Sequence, residues 1–379
     1  MAAPIPYGHQ SIDQADIEAV AASLSGDWLT TGPTVEAFEA EIARVGGATH
    51  AVAVTSGTAA LHAAYAAAGV SSGDEVIVPA LTFAATASTA SLLGAKIVFA
   101  DVQEDTGNID PSVVAELLTE RTAVVSAVDY AGHPADIDAL RPAAHAAGAL
   151  VLEDAAHSIG SLSAGRPVGS LADVTAFSFF PTKNMTTAEG GAVVTSDDGL
   201  AARSRAFRSH GLVRDRAAQR YPDEGPWHQE IHQLGLNYRL PDVLCALGLS
   251  QIRRLAEFKA SRTAVFDRYV EGLSDVPGLT LPAKRDGADP MWHLFPVRVH
   301  DGRRREVFDR LRAQGILVQV NYIPVYWHPY YEDLGYRRGM CPVAERYYSE
   351  EISLPMFAHL ASSDQDRVID ALRAILAEE

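Results

Sequence analysis

The chain holds only four lysines, Lys96, Lys183, Lys259 and Lys284. A lysine amine condenses with a carbonyl to a Schiff base, and burial lowers its pKa toward neutrality, which makes it a usable base. Lys96 opens a strand pattern after a Gly-Ala turn, Lys259 falls in an amphipathic helix pattern and Lys284 in a charged loop. Lys183 differs. It lies in TAFSFFPTKNMTTAEGGAVVT (175–195), between two strand patterns, among aromatics, hydroxyl residues and a Gly-Gly pair, with few charges nearby. Two readings stand: an amine placed for carbonyl chemistry, or a loop lysine whose stem lies on apolar surface while its head reaches water.

Other residues bear on that choice. Glu153-Asp154 closes the strand pattern ALVLED (149–154). A carboxylate at the C-terminal end of a parallel strand faces the crevice where α/β proteins bind ligands. There Asp154 could hold a protonated ring nitrogen, or it could cap the segment that follows. His157 is near enough in sequence to share that place, although a lone histidine is also often structural. Ser56-Gly57-Thr58-Ala59 joins a buried strand to a helix pattern. A helix start presents free N–H groups suited to phosphate, and the same sequence is an ordinary cap. Phe83 follows the strand EVIVP (75–79), placed either for stacking on a ring or for core packing. An amine for an imine, a carboxylate for a ring nitrogen, a helix start for a phosphate and an aromatic for stacking fit one cofactor together, pyridoxal 5′-phosphate.

The elements that must position these groups are legible as alternating apolar runs and helical patterns. Strands are expected at 51–55, 75–79, 96–101, 122–129, 149–154, 173–179 and 191–195, with helices near 57–69, 83–93, 111–119 and 136–147. That alternation predicts an α/β fold, a mostly parallel sheet flanked by helices. Residues 209–232, with mixed charges and two prolines, read as a long surface loop of the kind that forms lids or partner-contacting arms. Helices are expected at 241–256, 258–273, 304–315, 343–350 and 364–377, and strands at 291–299 and 316–322. This predicts a large ligand-binding domain over 1–250 and a smaller C-terminal α+β domain over 251–379.

Composition narrows the function classes. With 48 acidic against 31 basic residues the net charge is −17, which disfavours nucleic acid and anionic membrane surfaces as partners. Residues 45–73 carry no Asp, Glu, Lys or Arg, but glycines interrupt them and alanine dominates, so a buried strand and helix are expected rather than a membrane span. The opening MAAPIPYGHQSID shows neither a basic nor an apolar leader region, and Cys245 and Cys341 are too far apart for a C-x-x-C unit, so a cytoplasmic protein with reduced thiols is expected. His228 and His232 lie four residues apart around Glu230, but the glutamate is misplaced for H-E-x-x-H and no metal site is expected.

Six segments in order, SGTAALHAAYAAAGVSSGDEVIVPALTFAATAS, VLEDAAHSIGS, FSFFPTKNMTTAEGGAVVT, FRSHG, LGLNYRLPDVLCALGLSQI and ISLPMF, extend over nearly the whole chain. In these the sequence resembles the DegT/DnrJ/StrS family of pyridoxal-phosphate sugar aminotransferases. GDWLTTGP (26–33), VDYAGHPADID (128–138), TTAEGGAVVT (186–195) and ILVQVNYIPVY (316–326) look like the branch that aminates C4 of nucleotide-linked 4-keto-6-deoxy sugars, as in pseudaminic acid biosynthesis. The resemblance implies a fold-type I homodimer with shared active sites. Lys183 is then the Schiff-base lysine, Asp154 the partner of the pyridine nitrogen and Phe83 the stacking ring. His157 stands near the phenolic oxygen, where the family more often has Gln. Gly57, Thr58, Ala59 and Ser178 hold the phosphate, and Asn237 reaches it from the neighbouring subunit. Tyr7, Thr30, Asn321, Tyr322 and His328 or Tyr326 contact the sugar, Asn321 standing where many relatives read His.

The resemblance also implies glutamate or glutamine as amino donor. Four neighbouring activities compete. A sugar dehydratase on this scaffold has histidine in place of the lysine, which Lys183 argues against. Amination of a free cyclitol ketone is opposed by the VDYAG and QVNYIPVY segments. Amination at C3 rather than C4 stays open. A non-catalytic pyridoxal-phosphate-binding regulator lacks support, because no DNA-binding module or basic arm is visible.

Overall fold

Val, Ile and Ala runs with no polar alternation make strands that must be covered on both faces, and that is how they are used. The computed structural model describes residues 3–378. Seven runs form one sheet: β1 (His50–Val54), β2 (Glu75–Pro79), β3 (Lys96–Ala100), β4 (Thr122–Val128), β5 (Leu150–Asp154), β6 (Val174–Ser178) and β7 (Gly191–Thr195). Their order is β1-β7-β6-β5-β4-β2-β3. Neighbours pair in parallel from β6 to β3, while β7 runs antiparallel to both β1 and β6. The α/β fold is as expected, with β7 the one reversed strand.

Before β1 come α1 (Gln14–Leu24) and α2 (Pro33–Gly46), and after it α3 (Gly57–Ala67). The first two are absent from the sequence expectation, although Asp13 and Asp16 form a reciprocal capping box for α1 and Pro33 opens α2. Alanines explain the uncharged stretch at 45–73. Ala59, Ala60, Ala63, Ala64 and Ala67 are buried, and their small side chains let α3 lie close on the sheet. Among the described residues no helix is long and apolar enough to cross a membrane.

A second, antiparallel sheet holds β8 (Leu279–Thr280), β9 (Phe295–Val299) and β10 (Glu351–Leu354) in that order. Here the structure corrects two expectations. Residues 316–322 do not form a strand; their backbone pairing is limited to the isolated bridges Ile5–Ile316 and Gln319–Ser353, because the Leu317 N–H goes to the Ile5 carbonyl and the Asn321 N–H to the Glu351 side chain rather than to a neighbouring strand. The strand expected from 291 begins at Phe295, since Met291–Leu294 turn toward the large sheet and His293 N–H donates to the Ala131 carbonyl at 2.8 Å. The chain start lies with this second sheet: Ile5 N–H donates to the Gly315 carbonyl, and Ile5 packs in the apolar cluster that contains Phe295.

The segment 209–232 is more ordered than a plain loop. Leu212–Val213 and Glu230–Ile231 pair as a two-stranded ribbon. The Glu230 carboxylate accepts the Arg220 and Tyr221 N–H groups and meets both His228 and His232, which accounts for that histidine pair.

Candidate active site

Parallel strands deliver their C-terminal ends to one edge, and the functional residues stand there. Past β1 come Ser56, Gly57 and Thr58; past β2, Phe83 and Thr86; past β5, His157; past β6, Lys183. They line a cavity of about 540 Å³, closed on the far side by Tyr7, His293, Asn321 and Tyr322. Ten residues singled out in the sequence share this lining: Tyr7, Gly57, Thr58, Phe83, Asp154, His157, Ser178, Lys183, Asn321 and Tyr322.

Ala59, Thr30, Asn237, His328 and Tyr326 do not line it. The Ala59 N–H is taken by the Ser56 side chain at 3.0 Å, so it is not free for a phosphate. Tyr326 is buried in an aromatic cluster beside Phe99, its hydroxyl donating to Glu345. His328 links the turn Val325–Trp327 to the short helix Pro329–Asp333. Thr30 and Asn237 are exposed on the surface of this chain.

The start of α3 has the shape of an anion cradle. Ser56 caps the helix, and the Gly57 and Thr58 N–H groups take no partner among the described residues. A Cβ on Gly57 would stand 2.7 Å from Ser178 Cβ and 2.8 Å from its Oγ, so only glycine lets the hydroxyl at the end of β6 approach the helix start. Free N–H groups, the positive end of the helix and a nearby hydroxyl suit a phosphate.

Across the cavity Asp154 is buried without a cationic partner in contact. Its Oδ2 accepts the Thr86 hydroxyl at 2.6 Å and its Oδ1 the Ala156 N–H at 3.2 Å. Burial raises its pKa against the opposing pull of these donors and of Lys183. Lys183 sits in the turn between β6 and β7, its N–H donating to the Phe180 carbonyl and its own carbonyl accepting from Arg262. Its amine takes no hydrogen bond among the described residues, and lost hydration lowers it to about 8, with Asp154 acting the other way.

His157 Nε2 meets the Tyr322 hydroxyl at 3.1 Å, while its Nδ1 is buried without a partner. The His293 ring lies 4.3 Å from it between centroids, and burial holds both imidazoles well below their usual pKa, hence neutral. Asn184 Nδ2 ties the His157 carbonyl, at 2.6 Å, to that of Met291. Phe83 is 60% exposed and lines the cavity, its ring in an edge-type contact with Tyr322 at 6.0 Å between centroids. Thr86, His293 and Asn184 went unmarked in the sequence reading. A histidine inside the apolar run MWHLF was the available signal for His293.

The residues present fit pyridoxal phosphate: a glycine cradle that a Cβ would fill, a buried carboxylate lacking a cation and an unpaired amine, around one cavity. Comparison with known proteins agrees. Residues 10–373 match the model of the DegT/DnrJ/EryC1/StrS aminotransferase family. The chain is 39% identical to the spore coat polysaccharide biosynthesis protein SpsC of Bacillus subtilis, covering 98% of this chain and 97% of that protein. It is 36% identical to the UDP-4-amino-4,6-dideoxy-N-acetyl-beta-L-altrosamine transaminase of Campylobacter jejuni, again over 98% and 97%. Its structure superposes on the PLP form of the sugar aminotransferase Spr1654 of Streptococcus pneumoniae, described as putative, with a TM-score of 0.91 at 28% identity, covering 99% of each chain. The chain therefore belongs to the DegT/DnrJ/EryC1/StrS aminotransferase family and is a PLP-dependent sugar aminotransferase.

Proposed function

We propose that this enzyme transfers an amino group from glutamate or glutamine to a nucleotide-linked keto sugar of the 4-keto-6-deoxy class. The observation that carries the chemistry is Lys183, an amine lowered to about 8 at the edge of a cavity whose other side holds Asp154. The transaminase of Campylobacter jejuni, with 36% identity over nearly the whole chain, supports the sugar class.

The bound cofactor supplies an electrophilic carbonyl carbon and an electron-withdrawing ring. The chain's own residues do the rest. Gly57, Thr58 and Ser178 would hold the phosphate, and Phe83 would pack against the ring. Asp154, aligned by Thr86, would keep the pyridine nitrogen protonated, because a buried carboxylate favours a cation beside it. Lys183 Nζ takes the proton from the donor's Cα and returns one to the sugar carbon that is aminated, which needs an amine neutral near working pH. His157, a neutral imidazole held by Tyr322 and His293, would hydrogen-bond the phenolic oxygen. Tyr7, Asn321 and Tyr322 bound the sugar side.

We also assign a homodimer with shared sites in the cytoplasm, and a division near residue 251 into a large and a small domain, with the chain start returning to the small one. Exposed Thr30 and Asn237 stand among exposed apolar neighbours, Trp28 and Leu29 for one and Leu234 and Leu236 for the other, which supports coverage by a second copy. His328 remains assigned to the sugar or nucleotide side only through the family. Incubation of the holoenzyme with a panel of nucleotide-linked keto sugars and each donor, read by mass spectrometry, tests the substrate. Amination of a 4-keto-6-deoxy sugar is expected; amination of free cyclitol ketones alone contradicts the assignment.

A further inference from the structure

A buried carboxyl stands at the sugar side of the cavity with no task in the reaction. Glu351 and Ser353 on β10 are fully buried. No cation pairs with Glu351 among the described residues; Arg298, opposite it in the strand register, reaches Glu104 and Glu350 instead. Glu351 Oε2 accepts the Asn321 backbone N–H at 2.7 Å, and Oε1 meets Ser353 Oγ at 2.5 Å. Asn321 is held from every other side too. Its carbonyl accepts the Tyr130 hydroxyl, and its side-chain Nδ2 donates to the Tyr7 hydroxyl at 2.8 Å and to Ser353 Oγ at 3.0 Å. Only its Oδ1 takes no partner among the described residues, and Asn321 lines the cavity.

Counting protons links these groups. Ser353 has one hydroxyl proton to give. When Glu351 is ionised, that proton goes to Oε1. Ser353 can then only accept from Asn321, so the amide NH2 faces Ser353 and Oδ1 faces the cavity. When Glu351 is protonated, Oε1 donates to Ser353, and Ser353 gives its own proton to Asn321. The amide then turns over, with Ser353 and Tyr7 donating to Oδ1 and the NH2 facing the cavity. In each state every contact from Glu351 through Ser353 to Asn321 joins one donor to one acceptor, and the opposite amide orientation would set two donors or two acceptors against each other there; in the ionised state the Tyr7 hydroxyl accepts from Asn321 and keeps its own proton for the cavity it lines.

We propose that the proton on Glu351, relayed by Ser353, decides whether Asn321 offers the sugar a hydrogen-bond acceptor or a donor. The proposal rests on the reading of this cavity as a sugar site. Glu351 is a positioning residue, because it touches the sugar only through Asn321. Loss of hydration pushes its carboxyl up to about 8. Asn321 therefore presents an acceptor above that pH and a donor below it. The groups facing Glu351 are the phenols Tyr7, Tyr130, Tyr322 and Tyr347, all raised by burial and neutral, and Arg304, which pulls the carboxyl down.

The test compares two substrates of the holoenzyme, a nucleotide-linked keto sugar with a ring hydroxyl and its analogue with fluorine there, which cannot donate. KM is measured for both from well below to well above pH 8. In the wild type, KM for the fluoro analogue relative to the hydroxyl sugar should rise about tenfold on going upward through that range, the worth of one oriented hydrogen bond. Glu351→Gln copies the hydrogen bonding of the protonated carboxyl, so its ratio should stay low and flat. Ser353→Ala, which cuts the relay and leaves the carboxyl, should also be flat. A flat wild-type ratio, or the same rise in both variants, overturns the proposal. If no nucleotide-linked keto sugar is turned over at any pH, no KM exists to compare, and the reading of the site falls together with this inference.

Discussion

Gly57 stands so near Ser178 that a methyl group on the glycine would lie 2.7 Å from the serine Cβ. The start of α3 and the end of β6 thus share a space sized for a hydrogen atom, and the phosphate cradle depends on it. Gly57→Ala should push the two apart and weaken cofactor retention by about tenfold or more, since such overpacking costs about 1–3 kcal/mol. Equilibrium dialysis against pyridoxal phosphate checks this, and unchanged affinity contradicts the cradle.

Asp154→Asn keeps the shape and the Thr86 contact but removes the charge that keeps the ring nitrogen protonated. Turnover should fall roughly a hundred- to a thousand-fold while cofactor stays bound, as when one preorganised electrostatic partner is lost. Single-turnover kinetics with glutamate measure it. A loss confined to cofactor affinity would move Asp154 from the chemistry to binding.

In the cofactor-free chain burial lowers the Lys183 amine to about 8. The sign follows from which form reacts: below that pH the amine is protonated and cannot attack an aldehyde, and above it the amine is neutral. The rate at which apoprotein takes up pyridoxal phosphate should therefore climb as pH rises toward 8 and level off beyond it. Stopped-flow absorbance records the profile; a rate still climbing toward 10 means that the amine is not desolvated.

Asn237 is exposed and outside the cavity of its own chain. If it completes the phosphate site of a second copy, Asn237→Ala should weaken cofactor affinity by about tenfold, the worth of a hydrogen bond to a charged group. The wild type should also release cofactor more readily on dilution below its dimer dissociation constant. Identical affinities, or a monomer that retains cofactor, argue against a shared site.

All seven strands of the large sheet were legible because each is a short, mainly apolar run, nearly all of it buried apart from the edge strand β3 with exposed Lys96, which gives a signal independent of partners. Asp154 and Lys183 were legible because charge is costly beside such runs. What escaped depended on contacts distant in sequence. Residues 316–322 read as a strand by composition, yet their backbone pairs with β10 only at the Gln319–Ser353 bridge, the Leu317 and Asn321 N–H groups going to Ile5 and to the Glu351 side chain, and no local pattern states those partners. Ala59 looked like a phosphate ligand until Ser56 was seen to take its N–H. Thr86 and His293 line the cavity beside partners 68 and 136 positions away, Asp154 and His157, and Glu351 bears on it through Asn321, so no local pattern marks them.

The most direct measurement traps the bond to the cofactor. Holoenzyme reduced with borohydride, digested and sequenced by mass spectrometry should carry the pyridoxyl phosphate mass on the peptide containing Lys183, and Lys183→Ala should carry none and show no transamination. The adduct on Lys96, Lys259 or Lys284, or turnover surviving in Lys183→Ala, would contradict the assignment of this amine.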